Sequence, residues 1–302
     1  MDVTLSGLRV LREIAERGTF TAAAAALGYT QSAVSRQVAA LERGAGSTLF
    51  ERRPGGVRLT PAGQSLLRHA AVVLDEMDAA ERELLGRVPE AGVVRLGMFP
   101  SAGLIVARSL AALRRQHPDI EVTTREGSTP ALARGLRAGV LDLAVLSSRP
   151  PYRPPDDELP ALRVVTLAEG TLLLAVPAGS RLAGQDVVEA EELADQPWIA
   201  SPSSRGEPAL GVWPGLPGRP RIAHSAKDWL TKLHLVAAGC GITTVPSNLD
   251  AVMPAGIRLI AVSGLPAESR RMLLAHLPGQ HSSSAALLVR ALREEAGHLP
   301  GG

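Results

Sequence analysis

Apolar residues recur at helical spacing in three short runs over the first forty-odd positions. Leu5, Leu8, Leu11 and Ile14 mark a first helix that the pattern ends at Gly18. Thr19 is placed to cap a second helix, "FTAAAAAL", whose small side chains let another helix approach closely. Gly28-Tyr29 makes a tight turn, and Thr30 can cap a third helix beginning at Gln31. In "GYTQSAVSRQVAALE", residues 28–42, Val34, Val38 and Leu41 form one apolar stripe. Gln31, Ser32, Ser35, Arg36 and Arg43 fall on the other side, a face rich in groups that read hydrogen-bond patterns. Two helices joined by a three-residue turn containing Gly fit a helix-turn-helix. The next stretch, "LFERRPGGVRLT", alternates about Pro54-Gly55-Gly56 as a β-hairpin would, with Arg52, Arg53 and Arg58 on or near its tip.

Thr60-Pro61 predicts another helix start, a capping residue followed by Pro at the first helical position. From there Leu66, Ala70, Val73, Met77, Ala80 and Leu84 step by four and three in turn, an a/d seam. A dimerisation helix using Leu66, Val73, Met77 and Leu84 is favoured over a helix packed only on its own domain. After Pro89 and Gly92 the pattern changes. Strand-like runs at 93–99, 120–124, 140–146, 171–177 and 242–246 alternate with helical runs at 102–116, 129–139 and 226–239. Two further strands and a closing helix follow, whereas 201–220, dense in Pro, Gly and Ser, reads as loop. Such alternation implies parallel βαβ units.

Composition sharpens this picture. The chain has 302 residues, 45% of them hydrophobic and 21% charged, enough for two or three domains with real cores. A net charge of +2 says little by itself, but residues 1–68 carry nine Arg against five acidic residues. Residues 69–90 carry two Arg against six acidic residues, so the basic charge gathers at the N-terminal end, and the acidic helix is kept off DNA. All cations but Lys227 and Lys232 are Arg, planar donors suited to phosphate and guanine. One cysteine, Cys240, rules out an internal disulfide framework. With neither a signal-peptide pattern nor an uncharged stretch long enough to span a bilayer, a cytoplasmic protein without a membrane partner is expected. G-x-S-x-G elbow, P-loop and metal-spaced His/Cys sets are missing, and the seven histidines are scattered. The expectation is therefore no enzyme, no metal and no cofactor.

The run "RGTFTAAAAALGYTQSAVSRQVAALE…LFERRPGGVRLTPAG" resembles the winged helix-turn-helix of LysR-type transcriptional regulators. "HPDIEV", "LRAGVLDLAV", "AVPAGSRLAG" and "VAAGCGITTVP" resemble phrases of the same family, so the likeness covers nearly the full length. It implies a multidomain protein: an N-terminal all-α winged helix-turn-helix (1–60), a linker and dimerisation helix (61–88), and a C-terminal α/β effector domain (93–302). That last domain is expected to be two-lobed and periplasmic-binding-protein-like, with lobe I about 93–165 and 270–302 and lobe II about 166–269. A homodimer or dimer of dimers, double-stranded promoter DNA and RNA polymerase are the implied partners, and a nucleoid-associated location follows.

The family match singles out Gln31, Ser32, Ser35 and Arg36, at the helix end that enters the major groove: Gln31 can pair with adenine, Arg36 with guanine, and Ser32 and Ser35 with bases or phosphate. Thr21, Arg52, Arg53 and Arg58 are expected to hold phosphate or the minor groove, and Thr30, the cap of the same helix, is also counted among the DNA-binding residues. In the effector domain, Phe99 and Ser101, Ser128 and Thr129, Ser147 and Ser148, and Ser201 and Ser203 follow strands or begin helices, where ligands of open α/β sheets bind. Each hydroxyl also has an ordinary reading as a cap or turn residue. Together they point to a small effector, carboxylate-bearing or otherwise polar. Cys240 is expected to be buried and inert, with an effector-independent or Cys240 redox-responsive regulator as the alternative.

Overall fold

The computed structural model describes residues 2–54, 56–84, 93–150, 152, 158–202, 210–216, 218–266, 268–279 and 282–298, with the side chains of 79, 82–84 and 251 aside. The chain divides into two compact units. The first comprises Met1–Leu146, Pro154–Val165 and Leu273–Glu294; the second comprises Ser147–Arg153, Thr166–Met272 and Glu295–Gly302.

The first unit opens with helices α1 (Leu5–Arg17), α2 (Phe20–Leu27) and α3 (Gln31–Ala45), then a hairpin of β1 (Phe50–Arg53) and β2 (Gly56–Leu59). Each helix is started by a threonine. The hydroxyls of Thr4, Thr19 and Thr30 accept from the backbone N–H of Gly7, Ala22 and Ala33. Gly28 ends α2 at φ 69°, the left-handed region where a side chain is strained, and that fixes the turn into α3. Leu11, Ile14, Ala23, Ala24, Val34, Val38 and Leu41 close one shared core, so the predicted stripe of α3 is indeed its packed face.

Helix α4 (Pro61–Leu84) begins where Thr60 Oγ1 accepts from Gly63 N at 3.0 Å. Its seam divides in two. Leu67, Ala70 and Leu74 are buried in the core of the helix-turn-helix, and Leu66 packs against them. Val73 and Met77, at 43% and 46% exposure, face outward with Val72. The assignment of Leu66 to a dimer seam is therefore corrected: it serves its own domain. At 3.6 residues per turn 66, 70, 73 and 77 lie within about 60° of one another, beside the packed face that Leu67, Ala70 and Leu74 centre, so the division runs along the helix: the core of the helix-turn-helix covers that flank at Leu66 but not at Val73 and Met77. The side chain of Leu84 lies outside the described residues.

The rest of the first unit is a sheet. Strand β3 (Val93–Met98) is followed by a 3-10 turn at Pro100–Ala102, then α5 (Gly103–Gln116), β4 (Glu121–Glu126), α6 (Thr129–Arg137) and β5 (Leu143–Ser148), whose last two residues belong to the second unit. Strand β3 lies between β4 and β5, parallel to both, with Val94 opposite Val122 and Leu96 opposite Leu143. Parallel pairing with α5 and α6 as crossovers is what the alternation predicts.

Strand β6 (Arg163–Pro177), whose first three residues belong to the first unit, leads in the second unit to β7 (Val187–Glu189), β8 (Pro197–Ala200), β9 (Arg221–Ser225), α7 (Trp229–Ala237), β10 (Thr243–Pro246) and β11 (Ile257–Ser263). Strand β12 (Ser269–His276) passes back into the first unit, and α8 (Ser283–Ala296) is the last helix. Here the expected parallel βαβ pattern is mixed with antiparallel pairing: β6 runs antiparallel to both β10 and β11. β11 with β7 and β8 with β9 are parallel. Trp198, Trp213, Leu174 and Ile260 fill one core, and Leu233, Val236 and Val245 another.

Within the first unit the helix-turn-helix is joined to the β3–β5 sheet. Arg95 donates to both carboxylate oxygens of Asp142 at 2.7 and 3.1 Å and to both of Asp75 on α4 at 2.8 and 3.1 Å. Burial works against the Arg95 charge, but its hydrogen bonds to Asp142 and Asp75 outweigh it and raise its pKa. Arg12 on α1 lies 3.6 Å from Asp75 and 3.8 Å from Asp78. Arg134 Nε donates to the carbonyl of Glu16 at 2.8 Å, and the Glu16 carboxylate pairs with Arg125. Ala138 is buried in the same core as Leu11 and Leu74. Gly139, at φ 68°, approaches Ala71 so closely that a Cβ there would stand 2.5 Å from the alanine methyl.

Candidate functional site

A helix that reads a duplex must pack one face and leave the other unobstructed. Gln31, Ser32 and Arg36 on α3 are exposed and Ser35 is half-exposed, while Val34, Val38 and Leu41 are buried. These polar residues occupy the first two turns, the end toward which the helix dipole draws phosphate. Thr30 and Thr21 are exposed beside them. The Thr30 hydroxyl is already engaged, capping α3 and lying 3.0 Å from Ser32 Oγ.

The hairpin is held in register with α3 by α3 itself. Glu42 Oε1 accepts from the N–H of Leu49 at 2.7 Å and of Phe50 at 3.3 Å. Val57 N donates to the carbonyl of Gly18 at 3.0 Å, and Phe20 meets Phe50 edge-on with ring centroids 5.9 Å apart. The pairing of Glu51 with Arg58 and of Arg52 with Val57 divides the three arginines between faces. Arg53 and Arg58 share one face with Glu51, and Arg52 shares the other with buried Phe50. Arg53 also lies 3.5 Å from Glu51.

The effector candidates fall into separate places. In the first unit Phe99, Ser101, Ser128 and Thr129 gather where β3 and β4 end, because Gly127 N donates to the carbonyl of Met98 at 3.0 Å and Phe99 N to that of Val145 at 3.2 Å. Phe99 is half-buried. Ser101 is buried in the 3-10 turn rather than opening α5, whose N-cap is Ala102, so its predicted place in the first turn of that helix is corrected. Pro100 sets that tight turn. Ser128 is the N-cap residue of α6 without a side-chain capping bond, and Thr129 is its first residue. Ser147 and Ser148 are the last two residues of β5, not a loop after it. Ser203 lies outside the described residues.

In the second unit Ser201 follows β8 and has a partner that the sequence reading passed over. Lys232, only 2% exposed, donates from Nζ to Ser201 Oγ at 2.7 Å. The signal was present: "WLTKLHLVA" places one of two lysines on the face that carries Leu233 and Val236. Burial lowers the Lys232 pKa to about 8. Cys240 is half-buried in the turn after α7, not buried as expected, because the helix stops before it and only its backbone, through Leu235 O, is tied down.

Residues 5–64 match the family described as "Bacterial regulatory helix-turn-helix protein, lysR family", and residues 87–297 match "LysR substrate binding domain". The chain belongs to the LysR family of transcriptional regulators. It is a DNA-binding transcriptional regulator with an N-terminal helix-turn-helix domain and a C-terminal α/β, two-lobed effector domain. Among LysR relatives, it is 32% identical over 275 residues to the probable hydrogen peroxide-inducible genes activator of Mycobacterium avium, covering 89% of this chain and 86% of that one. A full-length OxyR variant from Pseudomonas aeruginosa, with one cysteine replaced by aspartate, shares its fold with a TM-score of 0.58 at 21% identity, over 99% of this chain and 96% of the other. Full-length CbnR complexed with its target DNA shares it with a TM-score of 0.55 at 22% identity, over 97% and 100%. Among the described residues no helix is long and apolar enough to cross a membrane.

Proposed function

We propose that this LysR regulator binds promoter DNA through the first two turns of α3 and that a small-molecule effector in its C-terminal domain controls that binding. The observation that carries the reading is the division of α3 into a buried stripe and an exposed Gln31, Ser32, Arg36 face, with the hairpin fixed to the same helix by Glu42. Gln31 suits adenine and Arg36 suits guanine, each by paired hydrogen bonds, while Arg52, Arg53, Arg58, Thr21 and Thr30 hold the backbone. Val73, Met77 and Leu84 of α4 form the contact with a second copy, in a homodimer or a dimer of dimers. RNA polymerase is the downstream partner, the location is the cytoplasmic nucleoid, and no catalysis or metal is involved. The bound effector shifts an equilibrium between two arrangements of the assembly and so changes the spacing of paired reader helices.

A second reading has one observation behind it: the M. avium relative is a probable hydrogen peroxide-inducible genes activator, and Cys240 is half-buried rather than buried. A disulfide switch within one chain needs two cysteines, and the sequence has one. Oxidation would therefore act through Cys240 alone. Peroxide treatment of wild type and Cys240→Ala, followed by DNA binding, separates the two readings.

The deciding experiment is fluorescence anisotropy on DNA upstream of the protein's own gene, across a salt series. Wild type should bind tightly and with strong salt dependence. Arg36→Ala should lose about 1–3 kcal/mol on that DNA and bind it no better than scrambled DNA. Equal binding of all sequences by both proteins would remove base reading from α3.

A further inference from the structure

Lys232 is the fourth residue of α7, in the first turn, where the helix dipole opposes a positive charge. Its stem is enclosed, and its Nζ stands 5.2 Å from the centroid of the Trp229 ring. Its hydrogen-bond partners are both neutral, Ser201 Oγ at 2.7 Å and the carbonyl of Leu210 at 3.4 Å. Among the described residues no carboxylate lies within ion-pairing distance. The nearby Asp228 is exposed and committed elsewhere, capping α7 by accepting from Thr231 N at 2.7 Å. A buried ammonium with neither counter-ion nor favourable dipole is unfavourable on its own, and a bound anion would relieve both penalties.

The donors left over say which anion fits. Lys232 has three N–H groups, and its two neutral partners leave one unused. Ser201 accepts from the ammonium, so its own O–H remains to donate. Two adjacent donors and one positive charge match the two oxygens and single charge of a carboxylate. A phosphate dianion would bring more acceptors than this pair can satisfy and more charge than it neutralises. Ser201 stands at the carboxyl end of β8, which pairs in parallel with β9, the usual edge for ligands in such sheets. The Trp229 ring provides an apolar wall for whatever bears the carboxylate.

We propose that Lys232, with Ser201, forms the subsite that receives the carboxylate of a small monoanionic effector. This rests on the effector-controlled reading above and adds to it a ligand class and a residue.

Because the chain contains only Lys227 and Lys232, amine acylation read by mass spectrometry has an internal reference. Full-length protein is labelled with acetic anhydride in excess sodium benzoate, in benzamide as the uncharged counterpart, and in sodium chloride at matched ionic strength. Benzoate should protect Lys232 relative to Lys227 about fivefold when present at about four times its Kd, and benzamide and chloride should not. Benzoate should also raise the thermal midpoint of wild type and Lys227→Met but not of Lys232→Met, and Ser201→Ala should weaken the protection. Equal protection by benzamide, or none by benzoate, overturns the carboxylate subsite. Promoter binding is measured on the same samples. Intact sequence-specific binding beside a failed protection assay removes only this subsite, whereas loss of specific binding removes the regulator reading on which it rests.

Discussion

Replacing Lys232 with Met at neutral pH exchanges an enclosed ammonium for an uncharged chain of similar length. Burial carries the lysine from an ordinary value of 10.5 to about 8, and each pH unit corresponds to about 1.36 kcal/mol. The full displacement would amount to about 3 kcal/mol. The ammonium end keeps some water, since Ser201 is half-buried and Leu210 exposed, which brings the expected penalty down to about 2 kcal/mol. Its sign follows from proton counts. Below pH 8 both folded and unfolded chains hold the proton, so the penalty is complete and independent of pH. Between pH 8 and 10.5 the unfolded chain keeps a proton that the folded chain has released, so stability rises with pH; above 10.5 the penalty is gone. Lys232→Met should therefore be more stable than wild type by about 2 kcal/mol at pH 7, with the difference vanishing by pH 10.5. Urea unfolding followed by tryptophan fluorescence reads the relevant region, because Trp198, Trp213 and Trp229, the only tryptophans, all lie in the second unit. A difference that stays constant with pH, or a Met variant less stable at pH 7, would refute the argument that the charge is uncompensated.

Two further outcomes test other parts of the molecule. Arg52→Ala should weaken binding to specific and scrambled DNA alike and reduce the slope of log affinity against log salt by about one, as measured by anisotropy. Met77→Glu, on the outward face of α4, should shift the protein to a smaller assembly in light scattering, while its secondary structure by circular dichroism stays unchanged; an unaltered assembly would move the contact off this face.

The N-terminal module was legible because independent local signals agree. Thr19, Thr30 and Thr60 mark helix starts and Gly18 and Gly28 mark helix ends at positions that the apolar period already selects. The α4 seam was less so: a four-three step identifies an apolar face without saying whether a neighbour in the same chain or another chain covers each part of it. Strand β9 went unseen because all five of its residues are exposed, which leaves no alternation, and β8 is only four residues long. The first half of β6 was missed for the same reason as β9, being largely exposed. Among the candidate effector residues, hydroxyls near strand ends could be picked out, but not which of them has a cation for a neighbour. Ser201 and Lys232 are 31 positions apart and meet only because β8 and α7 pack together.

The chain of charges from Arg12 through Asp75 and Arg95 to Asp142, with Ala138 set into the helical core, bears on how such a gene could recombine. A crossover in the linker that brought in a foreign reader would separate Arg95 and Asp142 from Asp75. It would also present Ala138 and Gly139 to an unrelated helix surface. On the proposed reading role of Gln31 and Arg36, a new operator specificity is therefore reached more easily by point changes there, which touch nothing in this seam, than by exchange of the whole N-terminal segment. The reader and the sheet behind it are inherited as one piece.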